Sequence, residues 1–386
     1  SLWYRQSEGI IYAKKQISKD YREISHINEL SGFVTYCSIN QEVLSDLPFY
    51  YKQLFQSKQQ FHNEFWVNRE NEIEQARSAV LNYNKGNKSS ILITGDPLSG
   101  KTFLSHYIAT NLIDQADVFT LIPPTEGTTD RRILTASIAA LFNSNDHPDI
   151  IFQQISRKTV IIIDDLELWW EKSALGFEAI DYLINLIIKY SHNCLFIVNI
   201  NTCSYQLIHK VKRIGQYFSS FIKLNPFTAK QLKDTILIRH NSSGFTFTLN
   251  NKKQDVFFPW DYARLFNRYF NYTKGNVGFA LQTWINHINA LGDNEIIISN
   301  PRIPELSIIN ELNKEWLFYL SLIVLHRRIS YSKLKRITHG NEKETQNKIF
   351  TLLQCGLIIE KRPGIFEINP NIVVFLVNIL KEKELI

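Results

Sequence analysis

The chain has 386 residues, 44% of them hydrophobic, and a formal net charge of +6. This length suffices for two or three domains with separate cores, and so small a charge does not by itself indicate a nucleic-acid or membrane partner. The four cysteines are widely spaced and include no C-x-x-C pair, which argues against a structural zinc site or a disulfide framework.

No apolar run reaches the roughly 18 residues of a membrane-spanning helix. Ser1–Lys15 lacks the charged start and apolar core of a signal peptide. We therefore expect a cytoplasmic protein, with the soluble part of a membrane-associated protein as the alternative.

Residues 1–63 are polar and aromatic, without a clear period. The apolar stretch Leu47–Tyr51 and the following Leu54 and Phe55 indicate either a segment that docks on the domain that follows or a linker from a preceding region. A helical pattern then continues to Leu81, and a Gly/Asn/Lys/Ser turn leads into an apolar run.

That run, Ile91–Ile93, predicts a buried parallel strand. It is followed by a segment that fits G-x-x-x-x-G-K-[ST] at every fixed position: Gly95, Asp96, Pro97, Leu98, Ser99, Gly100, Lys101, Thr102. Such a loop directs backbone amides at phosphate oxygens, with Lys101 reaching the β- and γ-phosphates and Thr102 holding Mg²⁺. Phe103 begins a helix whose dipole favours an anion. The sequence predicts a site for a nucleoside triphosphate and Mg²⁺.

A second apolar run, Val160–Ile163, ends in two acids. After a P-loop, this is the Walker B arrangement, in which Asp164 binds Mg²⁺. Asp165 is placed to orient or deprotonate the attacking water. Glu167 is the other candidate for that role, although an acid here can instead cap a helix.

A third apolar strand, Cys194–Asn201, has a polar tip. In this order and spacing, the three segments resemble an AAA+ ATPase. The resemblance implies an α/β fold, with a P-loop parallel sheet flanked by helices, and ATP as the nucleotide. It also implies that Asn201, with Asn199 second, is the sensor 1 residue near the γ-phosphate. Arg69-Glu70 resembles the entry of initiator-type members near the adenine, with Asn68 where glycine is usual.

A basic turn precedes Phe218–Leu224 and Asn225-Pro226-Phe227. In AAA+ proteins a basic residue here often acts on the ATP of the neighbouring subunit, so the resemblance implies an arginine finger at Arg213 and a homo-oligomer in the ATP-bound form. An exposed basic turn is the alternative interpretation.

Residues 227–300 are predicted to form an all-α lid, from helices at Thr228–His240, Phe258–Phe270 and Asn276–Leu291. The arginine that AAA+ proteins often carry at the start of the last helix is absent. Thr273–Ala280 instead is similar to the lid motif of STAND signalling ATPases. The acid pair in Walker B points the same way, which implies slow, switch-like turnover.

Residues 301–386 show the order of a winged-helix domain: three helices, a hairpin and a last helix. Basic residues outnumber acidic ones between His326 and Arg362, and four of them are candidates for contacts with duplex DNA: Arg327, Arg328, Lys335, Arg336. The alternating Glu342-Lys343-Glu344 opposes such docking, and in STAND proteins the same fold packs against protein, so both partners remain open.

The predicted division is 1–63 (docking segment or linker), 64–226 (ATPase core), 227–300 (lid) and 301–386 (winged helix). We expect an ATPase whose nucleotide state switches assembly or partner contact. The alternatives are an ATP-organised DNA-binding protein and the soluble part of a membrane-associated signalling ATPase.

Overall fold

The computed structural model describes residues 27–39, 41–56, 63–67, 69–155 and 158–386. Residues 1–26 and Asn68 lie outside this part, and so do the expectations that concern them. The described chain begins with three helices: α1 over residues 27–36, α2 Gln41–Asp46 and α3 Phe49–Gln56. No helix in the described ranges is both long enough and apolar enough to cross a membrane.

The central element is a parallel sheet of five strands: β1 Ser90–Gly95, β2 Asp117–Leu121, β3 Thr159–Ile163, β4 Leu195–Asn201 and β5 Ser220–Lys223. Their spatial order is β2-β3-β4-β1-β5, so β4 pairs with both β1 and β3. Since all five run parallel, their carboxyl ends share one edge of the sheet, where ligands bind in open α/β folds.

The α-helices described for this region are α4 Glu70–Asn84, α5 Lys101–Asn111, α6 Arg131–Leu141, α7 Pro148–Gln154, α8 Glu178–Tyr190 and α9 Thr202–Lys212. Strands β1, β3 and β4 are buried at every position, because helices cover both faces of the sheet. The α/β fold class predicted for the core is confirmed.

The lid region contains α10 Ala229–Ser242, four short strands and two further helices, and a capping box of Thr228 and Gln231 begins α10. The remaining elements, in chain order, are β6 Thr246–Leu249, β7 Lys252–Lys253, α11 Pro259–Thr273, α12 Val277–Asn286, β8 Ile288–Leu291 and β9 Glu295–Ile298.

The expectation that this region is entirely helical is wrong, because its strands form a sheet in the order β7-β6-β9-β8. Phe247 and Leu249 alternate with more exposed threonines, and Ile296 and Ile298 flank the exposed Ile297. Each run is only four residues long, too short for a firm period in the sequence. Strand β8 also takes the end of the predicted helix Asn276–Leu291.

The C-terminal unit contains α13 Ser307–Asn310, α14 Lys314–His326, β10 Arg328–Ser330, α15 Tyr331–Thr338, α16 Glu342–Gln354, β11 Ile358–Arg362, β12 Ile365–Ile368 and α17 Val373–Glu382. Its three strands pair antiparallel in the order β10-β12-β11. The predicted order of helices and hairpin is present, with one additional strand, β10, directly after α14.

The N-terminal helices pack on regions other than the ATPase core. Tyr51 of α3 is fully buried and accepts a hydrogen bond from Trp284 Nε1 in the lid at 2.8 Å. Phe33 of α1 contacts Phe375 of α17 edge to face at 6.3 Å. The docking partner expected for this segment is therefore corrected: it is the lid for α3 and the C-terminal unit for α1.

Candidate functional site

The P-loop joins the buried end of β1 to the start of α5. Gly100 has φ +93°, a conformation that L side chains rarely adopt. Lys101, which is buried, donates from Nζ to the carbonyl oxygens of Gly95 (2.9 Å) and Asp96 (3.1 Å). The ammonium therefore lies against the loop that would cradle a phosphate chain. Burial lowers its pKa, opposed by the carboxylates of Glu167 and Asp164.

A hydrogen-bond network joins the P-loop helix to the tips of β3 and β4. Thr102 Oγ1 lies 3.1 and 2.9 Å from the two carboxylate oxygens of Asp164. Asn199 Nδ2 donates to Asp164 Oδ1 at 3.0 Å, and Ser105 Oγ donates to Asn199 Oδ1 at 2.7 Å. Three elements thus hold one carboxylate beside one hydroxyl.

This donor set suits Mg²⁺, since a hydroxyl and a carboxylate are hard oxygen ligands. Among the described residues, no group of three or more His, Cys, Asp and Glu side chains could hold a metal ion. Phosphate oxygens and water are the usual remaining ligands of Mg²⁺ at such sites, so Thr102 and Asp164 fit a cation shared with a nucleotide.

The structure brings Asn199, not Asn201, to the Walker B acid. Asn201 Oδ1 accepts from the backbone N–H of Cys203 at 3.1 Å and caps α9. The preference for Asn201 is corrected, because a side chain that caps the following helix is turned back onto its own chain. Asn199 pairs with Ile93 in the register of β1 and β4, which places it inside the strand rather than at its tip.

The two candidates for activating water have different surroundings. Asp165 adopts the left-handed conformation (φ 52°) and forms an ion pair with Arg327 of the C-terminal unit. Glu167 is 1% exposed, and its Oε2 accepts from the backbone N–H of Asn201 at 3.2 Å. Burial raises the pKa of Glu167, and the positive charge of Lys101 opposes the rise.

Arg69 braces the P-loop. Its guanidinium donates to the carbonyl oxygens of Ser99 (3.0 Å) and Asn225 (2.7 Å) and forms an ion pair with Glu72 at 2.9 Å. These contacts tie the loop to the chain leaving β5, and a role of Arg69 near the adenine stays a prediction. Phe103 stacks on Trp66, with ring centroids 5.3 Å apart.

The first turn of α12 lies on the P-loop. Asn276 Nδ2 donates to the carbonyl oxygen of Pro97 at 2.7 Å, and the backbone N–H of Gly278 donates to that of Leu98 at 2.9 Å. The lid therefore contacts the phosphate loop through hydrogen bonds to two of its carbonyl oxygens. These contacts lie at the start of α12, where the sequence shows no arginine.

The C-terminal unit also reaches the site. Lys381 of α17 forms an ion pair with the Asp96 carboxylate at 2.7 Å. Three of the four basic residues assigned to DNA are paired within the chain: Arg327 with Asp165, Arg336 with Glu171 at 2.8 Å, and Lys335 with Glu342 at 2.8 Å. Arg328, the fourth, is only partly exposed.

Three of the four side chains expected to face DNA therefore already have an acidic partner within the chain. Which partner the C-terminal unit binds stays a prediction. The contacts of Arg327 and Arg336 correspond to the alternative interpretation, packing of the C-terminal unit against protein.

Arg213, the proposed arginine finger, is exposed at the end of α9 with φ 48°. None of the hydrogen bonds and ion pairs between described residues joins its side chain to the P-loop or to the Walker B acids. The structure thus leaves this guanidinium outside its own nucleotide site.

No protein-family model and no curated protein matches the sequence. Among solved structures, the Aeropyrum pernix ORC2 protein in its ADP form is similar at a TM-score of 0.48 and 12% identity, covering 86% of this chain and 98% of that one. A point variant of Thermotoga maritima RuvB is similar at 0.41 and 16%, covering 82% and 95%. A Walker-type ATPase of Pyrococcus abyssi is similar at 0.42 and 12%, covering 84% and 99%.

Sequence reasoning missed three contributors to the site. Ser105 carries a signal that could have found it, because it lies one helical turn after Lys101 on the face of α5 that meets the sheet. In the sequence, Arg327 is among the candidates for DNA contacts, and Lys381 lies near the end of a mostly apolar helix. Nothing local in the sequence directs either of these two at a P-loop more than two hundred residues away.

Proposed function

We propose that this chain is an ATP-binding, AAA+-type P-loop ATPase of the initiator or STAND kind, with slow Mg²⁺-dependent hydrolysis. The observation that carries the proposal is the contact of Thr102 with Asp164, next to Lys101, where β1 and β3 end. A P-loop lysine and a hydroxyl–carboxylate pair on one sheet edge are the parts from which a triphosphate–Mg²⁺ site is built.

Within this site each side chain has a separate task. Lys101 and the amides of the P-loop bind the β- and γ-phosphates, while Thr102 and Asp164 hold Mg²⁺, which neutralises charge on the phosphates when bound. Asn199 fixes the orientation of the Asp164 carboxylate through its amide.

Glu167 is the better candidate for accepting the proton of the attacking water. Its Oε2 accepts from the backbone N–H of Asn201, and burial raises its pKa, which brings a carboxylate nearer to the working pH of a general base. Asp165 forms an ion pair with Arg327 of the C-terminal unit. Asp165 could therefore act on the attacking water only if the C-terminal unit released it.

The nucleotide site is contacted from two sides by other parts of the chain, the lid at Pro97 and Leu98 and the C-terminal unit at Asp96 and Asp165. A bound nucleotide adds negative charge between the lid contacts and the contacts of the C-terminal unit. It therefore changes how strongly each of them holds the nucleotide site. We therefore propose that nucleotide state alters the position of the C-terminal unit and, through it, assembly or partner contact.

Lys101→Ala tests the site. We expect affinity for ATP to fall about 10- to 100-fold, the size of a lost charge-assisted hydrogen bond, as measured by titration with a fluorescent N-methylanthraniloyl-ATP. Lys85→Ala, a matched change at an exposed position before the P-loop, should bind as the unaltered protein does. Unchanged ATP affinity in Lys101→Ala, with an unchanged circular dichroism spectrum, would contradict the assignment.

A further inference from the structure

Arg327 is held in an unusual backbone conformation. Its φ and ψ are 60° and −49° at the C-terminal end of α14, outside the regions that L residues ordinarily populate. Residues in sparsely populated regions are strained and persist where the surrounding contacts fix them. Both members of its ion pair have positive φ, since Asp165 is left-handed as well.

The chain on both sides of Arg327 is fixed to the ATPase core. Before it, the carbonyl oxygen of Leu325 accepts from Ser204 Oγ at 2.7 Å, and His326 stacks on Trp170 with ring centroids 4.6 Å apart. After it, Lys333 Nζ donates to the carbonyl oxygen of Trp170 at 3.2 Å. The position of the guanidinium is therefore set by these anchors together with its own ion pair.

Charged groups of both signs surround Arg327, among them the carboxylates of Asp164 and Glu367. The guanidinium lies close enough to Lys101 and Asp164 to act on the charge of both, and Lys381 brings a further cation to Asp96 of the same loop. Cations that lie close together repel each other, and an anion between them removes that cost. These cations lie around the P-loop and the end of the Walker B strand.

The position of Arg327 beside the Walker B strand decides which phosphate it would contact. Arg327 pairs with Asp165, which directly follows Asp164. Asp164 is the acid that would hold Mg²⁺ beside the attacked phosphate. Lys381, by contrast, is paired with Asp96 near the start of the P-loop. Arginine is suited to this position because its planar fork binds two phosphate oxygens at once.

We propose that Arg327 is a ligand of the γ-phosphate, supplied to the site by the C-terminal unit of the same chain. It exchanges the Asp165 carboxylate for phosphate oxygens and thereby makes the site prefer a triphosphate to a diphosphate. This inference rests on the proposed ATP site and adds to it a residue outside the P-loop and the Walker B strand.

The test compares affinities for N-methylanthraniloyl-ATP and N-methylanthraniloyl-ADP, both with Mg²⁺. In Arg327→Gln we expect affinity for the triphosphate to fall about 10-fold or more, while affinity for the diphosphate stays within about 2-fold. Arg327→Lys keeps the charge without the fork and should lie between. Arg362→Gln, the same change in the hairpin of the same unit, should alter neither affinity.

A second variant approaches the pair from its other member. Asp165→Asn removes the competing carboxylate and leaves Arg327 in place, so the preference for the triphosphate should rise. This variant keeps the proposal testable if Arg327→Gln does not fold, which its melting temperature would show.

Three results would overturn the proposal: an equal loss of both affinities in Arg327→Gln, which marks a structural contact; a gain in triphosphate affinity, which marks a residue that only blocks the site; and no change of preference in Asp165→Asn. Each is distinguishable from failure of the proposed function, because the unaltered protein would then bind neither nucleotide and Lys101→Ala would change nothing.

Discussion

At the scale of single residues, the clearest proton-dependent contact is at His240, where α3 meets the lid. Its Nε2 faces Gln254 Oε1 at 3.3 Å, which makes Nε2 the protonated nitrogen and leaves Nδ1 to accept from the hydroxyl of Tyr51 at 3.0 Å. The hydroxyl in turn accepts from Trp284 Nε1. Each donor and acceptor in this series of hydrogen bonds has a partner only while His240 is neutral. Burial lowers the pKa of His240 to about 4.

The contact should therefore weaken in acid. A histidine whose pKa is lower in the folded state takes up its proton first in the unfolded chain, so stability is lost as pH falls from about 6.5 towards 4. The loss for this one group reaches about 3 kcal/mol. We expect His240→Asn to remove this loss of stability in acid. Urea unfolding of the unaltered protein and of His240→Asn from pH 7 to pH 4 checks it. The exposed His339, changed to Asn, serves as the control, and parallel pH curves for all three proteins would contradict the assignment.

At the scale of elements, the lid and the P-loop meet with no space for a side chain. A Cβ added to Gly278 in α12 would lie 2.7 Å from the carbonyl oxygen of Leu98 and 3.0 Å from its Cβ. A Cβ on Gly32 in α1, by contrast, would meet nothing within 4 Å. Both glycines are in helices, so they differ chiefly in the space around them.

The two glycines predict opposite changes in stability. Gly32→Ala should stabilise the protein by about 0.5–1 kcal/mol, because alanine favours the helix and restricts the unfolded chain. Gly278→Ala should destabilise it by about 1–3 kcal/mol, because the P-loop backbone or the lid must move. The free energy of unfolding in urea measures both, and stabilisation by Gly278→Ala would show that the lid is not packed on the loop.

How much the sequence could predict differs between elements. The P-loop and the acid-tipped strand were predictable because their residues are adjacent in the chain and their chemistry demands fixed spacing. Asn199 was harder, since which of two nearby asparagines faces the site depends on the register of β4 against β1 and on the cap that α9 takes from Asn201. The sheet in the lid escaped prediction because each strand is shorter than a reliable period.

At the scale of the whole molecule, long-range contacts explain what the sequence could not show. A basic surface and a set of buried intramolecular ion pairs have the same composition, and only the fold decides between them. Arg336 illustrates this: in sequence it is one more cation of a helix-turn-helix pattern, yet it pairs with Glu171 at 2.8 Å, a residue that is 5% exposed. Removing Arg336 would leave the Glu171 carboxylate buried without its partner, which is the costly change for such a pair.

The same reasoning gives Arg213 a testable place in an assembly. It is exposed at the end of α9, so we expect any effect on hydrolysis to act on the site of a second copy of the chain. We expect Arg213→Ala to lower phosphate release per subunit by at least about 10-fold, since an arginine finger contributes several orders of magnitude in fast enzymes. Affinity for ATP should be unchanged, because the variant keeps its own P-loop.

Mixing variants separates action between subunits from a local defect. Arg213→Ala retains an intact nucleotide site, and Lys101→Ala retains an intact Arg213. If the finger acts on a neighbour, a mixture of the two inactive proteins assembles sites that contain both groups, and phosphate release returns to a fraction of the normal rate. Light scattering with and without ATP should show the corresponding rise in mass. Two results would contradict a role of Arg213 between subunits. One is a mixture that assembles by light scattering but releases no phosphate, and the other is an unchanged rate in Arg213→Ala alone. The exposure of Arg213 at the end of α9 would then reflect solvation alone.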